Sequence, residues 1–442
     1  MIIKAYNFFS QRVTLAISII TIVMMTSQPF DDITRFVIYA FAATHAAITF
    51  FYCLIKRKEK LDLSIGSCAL ILFYILSTLI LTAHGDILHL GLSQLHLFFF
   101  ALNCLFLYSS NELKDQVLFI AKLFIILGLY KIIGSFVAIM IMKYNPSLAN
   151  RFPEFIADVV RNSYANPTRP NGITVHPNTL GAIITVASWC SVYLIFTSTN
   201  KKWIIVSCIT LITGILFAVR VSSRTTLLVI TAFIGIFLVL NLMNWKQLST
   251  INKKKIIIFI SIAMICCLSA LTILFTSKEA REYIFENVIR VKDIKTATGR
   301  TNLQKAALDA TKDKRMFGMS YIKLSNEVLH GTSHTHNPFI QILVSTGVPS
   351  LILFSLFFFY SIGCSIYLLA KQRKDKDNLL FACFLVSSLL SLFLQSFFEQ
   401  FFFVNYGAVP FFAYAVFPFA IVLKTNYKQE HHRLIEPIPN NK

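Results

Sequence analysis

His330, His334 and His336 fall within one short polar stretch, immediately ahead of an apolar run that opens at Pro338. Titratable side chains at the mouth of a hydrophobic segment are costly to place and mark functional sites by default. A neutral imidazole is the usual acceptor for a hydroxyl proton near pH 7. His-x-His with a third histidine four residues earlier is also a loose metal pattern, with Glu327 as its nearest carboxylate. Plain loop histidines that do no chemistry are the bland alternative. Asn337 follows directly and shares the position.

Arginines supply the second chemistry. Arg169-Pro-Asn-Gly-Ile-Thr-Val-His176-Pro-Asn178 stands before an apolar run, with Pro170 and Pro177 fixing the backbone and Gly172 allowing close approach. Asn178 can cap the helix that follows. Arg220 and Arg224 flank a very short turn between two further runs. Thr298-Gly-Arg300-Thr sits where an amphipathic helix begins, a plausible anion site. A guanidinium offers a planar fork of donors suited to phosphate oxygens. Snorkelling to headgroups and incidental loop arginines are the structural alternatives. Glu399, in Phe-Phe-Glu-Gln-Phe-Phe-Phe, is a carboxylate partner for one of these arginines.

The elements that must position these groups are membrane helices. The 442 residues are 56% hydrophobic and only 14% charged, against about 25% charged in soluble domains. Apolar runs cover roughly 13–26, 34–55, 65–83, 90–108, 116–142, 178–197, 203–220, 225–243, 255–276, 339–370, 378–400 and 405–424, so about twelve transmembrane helices are expected. The fold class is an all-α polytopic membrane protein. The first run mimics a signal peptide but lacks a small-residue cleavage site, and reads as a retained helix. All nine cysteines lie in apolar runs, which argues against a disulfide framework or a zinc site. His45, His96 and Gln395 read as hydrogen bonders between helices.

The formal net charge of +20 could signal nucleic acid, but orientation and contact with anionic membrane lipids explain it more simply. Lys56-Arg-Lys58, Lys201-Lys202, Lys253-Lys-Lys255 and Lys371-Gln-Arg-Lys374 recur on alternate connections, which makes that face and both termini cytoplasmic. Residues 1–276 then hold helices one to nine, with a periplasmic loop at about 143–175. Residues 277–338 form a small helical periplasmic domain, 339–424 hold the last three helices, and 425–442 are a cytoplasmic tail. Leu303, Ala306, Ala307 and Ala310 repeat as on an amphipathic helix, and Glu279–Ile294 is similarly periodic. Every candidate constellation lies on the outer face.

The chain carries no Walker loop or dinucleotide fingerprint. Chemistry on the outer face therefore needs an already activated substrate, and a lipid-linked diphosphate fits. With these residues the chain resembles the bacterial O-antigen ligase and O-antigen polymerase superfamily, inner-membrane glycosyltransferases of C-type fold. Ligases of that family carry His-Asn, nine residues, Gly, two residues, then Gly, Thr or Tyr. Here His336-Asn337 is followed by Gly347 and then Ser350. Ser223-Arg224, Gly299-Arg300 and the Arg-x-x-Gly…His-Pro-Asn segment also match.

The resemblance implies metal-independent, inverting transfer from undecaprenyl diphosphate, without a cofactor, to a lipid A–core sugar. It implies that Arg224 and Arg300 hold the diphosphate and that His336 activates the acceptor or orients the site. Arg169, His176 and His334 are secondary candidates. Polymerisation onto a second lipid-linked glycan is the alternative, and a chain-length regulator stays open as a partner. A lipid-linked sugar transporter would instead place charges along a mid-membrane path.

Overall fold

The computed structural model describes residues 11–25, 32–107, 110–166, 170–174, 177–221, 223–289, 300–329, 335–371, 376–399 and 408–435, and among them it is helical with no named strand. In chain order the helices are α1 (Gln11–Met25), α2 (Asp32–Phe51), α3 (Ile65–Ala83), α4 (Ile87–Asn103), α5 (Ser110–Tyr144) and α6 (Glu154–Ser163). They continue as α7 (Pro177–Thr197), α8 (Lys201–Arg220), α9 (Arg224–Met243), α10 (Thr250–Thr276), α11 (Lys278–Tyr283) and α12 (Arg300–Ala310). The last three are α13 (Pro338–Lys371), α14 (Lys376–Ser396) and α15 (Ala408–Ile435). Each expected apolar run falls on one of these helices. Among the described residues, nine are long and apolar enough to cross a membrane, and the described part of α1 is a shorter apolar helix.

The bundle is built around α7. It has no charged residue and is buried from Leu180 to Phe196, the pattern of a helix that is apolar all round. Small residues let its neighbours approach. Gly128 of α5 meets Ala187, Gly214 of α8 meets Ile184 and Ser188, and Gly181 meets Ser223 and Thr226 at the start of α9. Such contacts let helices pack closely in lipid, where water does not drive them together. Trp189 stacks on Phe233 of α9 with ring centroids 5.3 Å apart. By contrast α10 touches the bundle mainly through its first turns, where Lys255 Nζ donates to the Phe196 and Ser198 carbonyls. His96 meets Ser18 at 2.9 Å and His45 meets Thr14 at 3.3 Å, so both bond between helices as expected.

Polar contacts tie the connections into two groups. At one end, Asp62 N–H donates to Leu105 O and Asp62 Oδ2 accepts from Thr425. At the other end, the buried Asp86 carboxylate accepts from Ser320 Oγ (2.8 Å) and from the backbone N–H of Tyr321 (2.6 Å). Each of these contacts joins connections that strict alternation along the chain assigns to the same end.

The expected 339–370 run is two helical pieces. Gly347 has φ 83° and ψ −179°, which breaks α13 into 338–346 and 348–371. A Cβ at Gly347 would overlap the Met316 carbonyl. Val344 O accepts from Met319 N–H (2.7 Å), and Val348 N–H donates to Arg315 O (2.8 Å). Two bonds to a neighbouring loop thus replace one turn of helix. The second piece alone is long enough to cross a bilayer, which takes about 20 residues.

Gly347→Ala should therefore lose about 1–3 kcal/mol or more from the backbone conformation alone. Gly363→Ala, where a Cβ meets nothing within 4 Å, should be near neutral. Thermal unfolding of the two variants in the same detergent checks this contrast.

Candidate active site

A single carboxylate draws together residues from four distant parts of the chain. Glu399 lies just beyond α14 and is 7% exposed. Its Oε1 accepts from Arg300 Nη2 at 3.0 Å and from Asn178 Nδ2 at 2.9 Å. Its Oε2 lies 3.3 Å from His336 Nδ1. Arg300 also donates through Nη1 to Phe398 O at 2.6 Å. A buried carboxylate needs compensation by charge and hydrogen bonds, and here a guanidinium, an imidazole and a carboxamide provide it.

Each partner is held by its own element. Arg300 is the first residue of α12, whose Ala307 packs with Leu324, Leu329 and Val344 in a small apolar cluster. Asn178 is the second residue of α7, inside the helix rather than at the capping position before it. His336 has φ 59°, a left-handed conformation that is uncommon outside glycine. Its neighbours hold it there. Thr335 N–H donates to Gln341 Oε1, Thr335 Oγ1 donates to Asn337 O, and Gln304 Nε2 donates to Thr335 O. Asn337 Oδ1 accepts from the N–H groups of Phe339 and Ile340, which caps α13. Asn337 thereby fixes the direction in which the chain leaves His336.

Arg220 ends α8 and Arg224 opens α9, both half-buried. The turn between them is docked on α7, because Ser223 and Thr226 abut Gly181, one helical turn along from Asn178. The same packing thus ties the arginine turn to the helix that reaches Glu399. Arg169, His176, His334 and His330 lie outside the described residues, as does Gly299.

Two buried charges near this end were not singled out in the sequence. Asp86 anchors the 320–322 segment, as described above. Lys131, on α5, donates to Ile173 O at 3.3 Å, while Ser135 Oγ accepts from Ile173 N–H at 3.0 Å. Gly172, with φ +62°, lies against Ser135, so the 170–174 segment is stapled into the bundle. A lysine at the middle of the 116–142 run, one of two within it, was the available signal for this contact. A lone aspartate in a turn between two apolar runs carries no comparable signal.

Residues 209–355 match the family model described as O-antigen ligase. This part of the chain is thus similar to the O-antigen ligase and polymerase superfamily. The family segment holds Arg220, Arg224, Arg300, His336, Gly347 and Ser350, and it leaves Asn178 and Glu399 outside. The residue that gathers the site thus comes from beyond the matched segment, just after α14. No curated protein matches the chain.

Glu399→Ala should lower thermal stability by about 3–5 kcal/mol, because it strands Arg300 without its carboxylate. Asn178→Ala, which removes one neutral donor, should cost only about 1 kcal/mol. Unfolding midpoints of both variants against the parent protein measure the difference.

Proposed function

We propose that this protein is an O-antigen ligase-type glycosyltransferase working at the periplasmic face of a bacterial inner membrane. Similarity to that superfamily supports ligase- or polymerase-type activity in general. The observation that carries the finer reading is the arrangement about Glu399, which sets an imidazole and a guanidinium side by side at one end of a membrane bundle.

The chemistry follows from the bonds. Glu399 Oε2 accepts from His336 Nδ1–H, which assigns the proton to Nδ1 and makes Nε2 the basic nitrogen. Nε2 takes the proton of the acceptor sugar hydroxyl as its oxygen attacks the anomeric carbon of the donor. The bond from that carbon to the diphosphate oxygen breaks, and undecaprenyl diphosphate leaves. Arg300, with Arg224 and Arg220 on the docked turn, offsets the charge that develops on the leaving diphosphate. Glu399 is one acid set against the three arginines given to the diphosphate, which leaves that set with excess positive charge, as a dianionic group requires. Arg169, His176 and His334 are secondary contacts to the glycan or diphosphate, and the acceptor is a lipid A–core sugar. The activated donor supplies the driving force.

Polymerisation of lipid-linked repeat units shares this donor chemistry and differs only in acceptor. In vesicles supplied with a lipid-diphosphate glycan and a core acceptor, His336→Ala, Arg300→Ala and Arg224→Ala should each reduce transfer by about 100-fold or more. Arg300→Lys should also be poor, since lysine lacks the planar fork. Full transfer by His336→Ala would remove the general-base role. A deletion strain separates the acceptors: loss of a ligase leaves bare core with glycan on the carrier, whereas loss of a polymerase leaves core bearing a single repeat unit.

A further inference from the structure

The loop between α12 and the Tyr321 turn exposes an apolar tip in a basic setting. Thr311 Oγ1 folds back on Ala307 O, and Lys314 N–H and Gly318 N–H close successive turns on Thr311 O and Lys314 O. Residues 312–317, Lys-Asp-Lys-Arg-Met-Phe, are all exposed. Met316 is 60% and Phe317 59% exposed, two large apolar side chains side by side. Three cations and one acid flank them.

This tip is not a loose end. The Arg315 O and Met319 N–H bonds to α13 bracket it, and Gly318 (φ +72°) lies against the Val344–Thr346 backbone and Gly347 against the Met316–Phe317 backbone so closely that neither has room for a Cβ. The helix break at Gly347 is therefore also the seat of the tip. The break is where the membrane-crossing piece of α13 begins. Below it, Ile352 (60% exposed), Leu356 (43%) and Phe359 (52%) recur at i, i+4 and i+7, one outward apolar face of that piece. Val348, whose N–H holds Arg315, stands one turn above Ile352 on the same face. Met316 and Phe317 are thus held beside the start of that outward apolar face, with Lys312, Lys314 and Arg315 next to them in the chain.

We propose that residues 312–317 are a membrane-interface anchor whose partner is the phospholipid bilayer itself. Met316 and Phe317 enter the boundary between headgroups and acyl chains, while Lys312, Lys314 and Arg315 meet the phosphates of anionic lipids. The anchor continues directly from the end of α12, so it ties the helix that begins with Arg300 to the bilayer surface. It is independent of which glycan the protein transfers.

The test uses the full chain in nanodiscs, with p-benzoylphenylalanine replacing Phe317 in one sample and Met316 in another. Irradiation should give phospholipid adducts at one or both positions, detected by mass spectrometry of the tryptic peptide. In the parent background their yield should rise about twofold or more when anionic lipid is added to neutral lipid. The triple variant Lys312→Gln, Lys314→Gln, Arg315→Gln changes only exposed side chains and should abolish that rise. Absence of lipid adducts at both positions overturns the anchor. So do adducts to a second protein chain or to a co-purified glycolipid in place of phospholipid. A yield indifferent to anionic lipid overturns the role given to the basic residues.

Discussion

A carboxylate shielded from water at the end of a membrane bundle must be balanced, and Glu399 is balanced by groups that come from three other regions of the chain. That requirement organises the surrounding structure. Arg300 must open α12 close to Phe398, so the outer segment has to fold down onto the bundle. His336 must turn its Nδ1 inward, so it adopts a left-handed backbone that Thr335, Gln304 and Gln341 hold in place. Asn178 must reach outward from α7, the helix most completely surrounded by its neighbours.

The fold meets these demands with backbone devices more than with additional charge. Asp86 takes the N–H of Tyr321 and the hydroxyl of Ser320. Ser135 accepts the Ile173 N–H, and Lys131 donates to the Ile173 carbonyl. Gly318 and Gly347 let a loop and a broken helix exchange backbone bonds. Each is a polar bond made where water is scarce, so each is worth more intact than broken. Together they fasten long connections to the helix bundle.

Glu399 takes up the Arg300 guanidinium, the Asn178 carboxamide and the His336 imidazole together. The family match covers the arginines and the histidine but stops short of Glu399. The acid that orients them comes from just after α14.

Much of this protein was determined by its sequence alone. Long uncharged runs in a chain with few charges can only be membrane helices, because the cost of burying polar groups in lipid overrides other preferences. The spacing of Leu303, Ala306, Ala307 and Ala310 marked α12, and Arg224, Arg300, His336 and Glu399 stood out as polar groups in costly places. Tertiary structure decided the rest. Nothing local distinguishes Glu399 as the partner of Arg300, His336 and Asn178 together, since those contacts span 63 to 221 residues. The break at Gly347 was hidden inside an unbroken apolar run, because its cause is a loop some 30 residues earlier in the chain, between Arg315 and Met319. Composition sets which segments enter a membrane; only packing sets which of their ends meet.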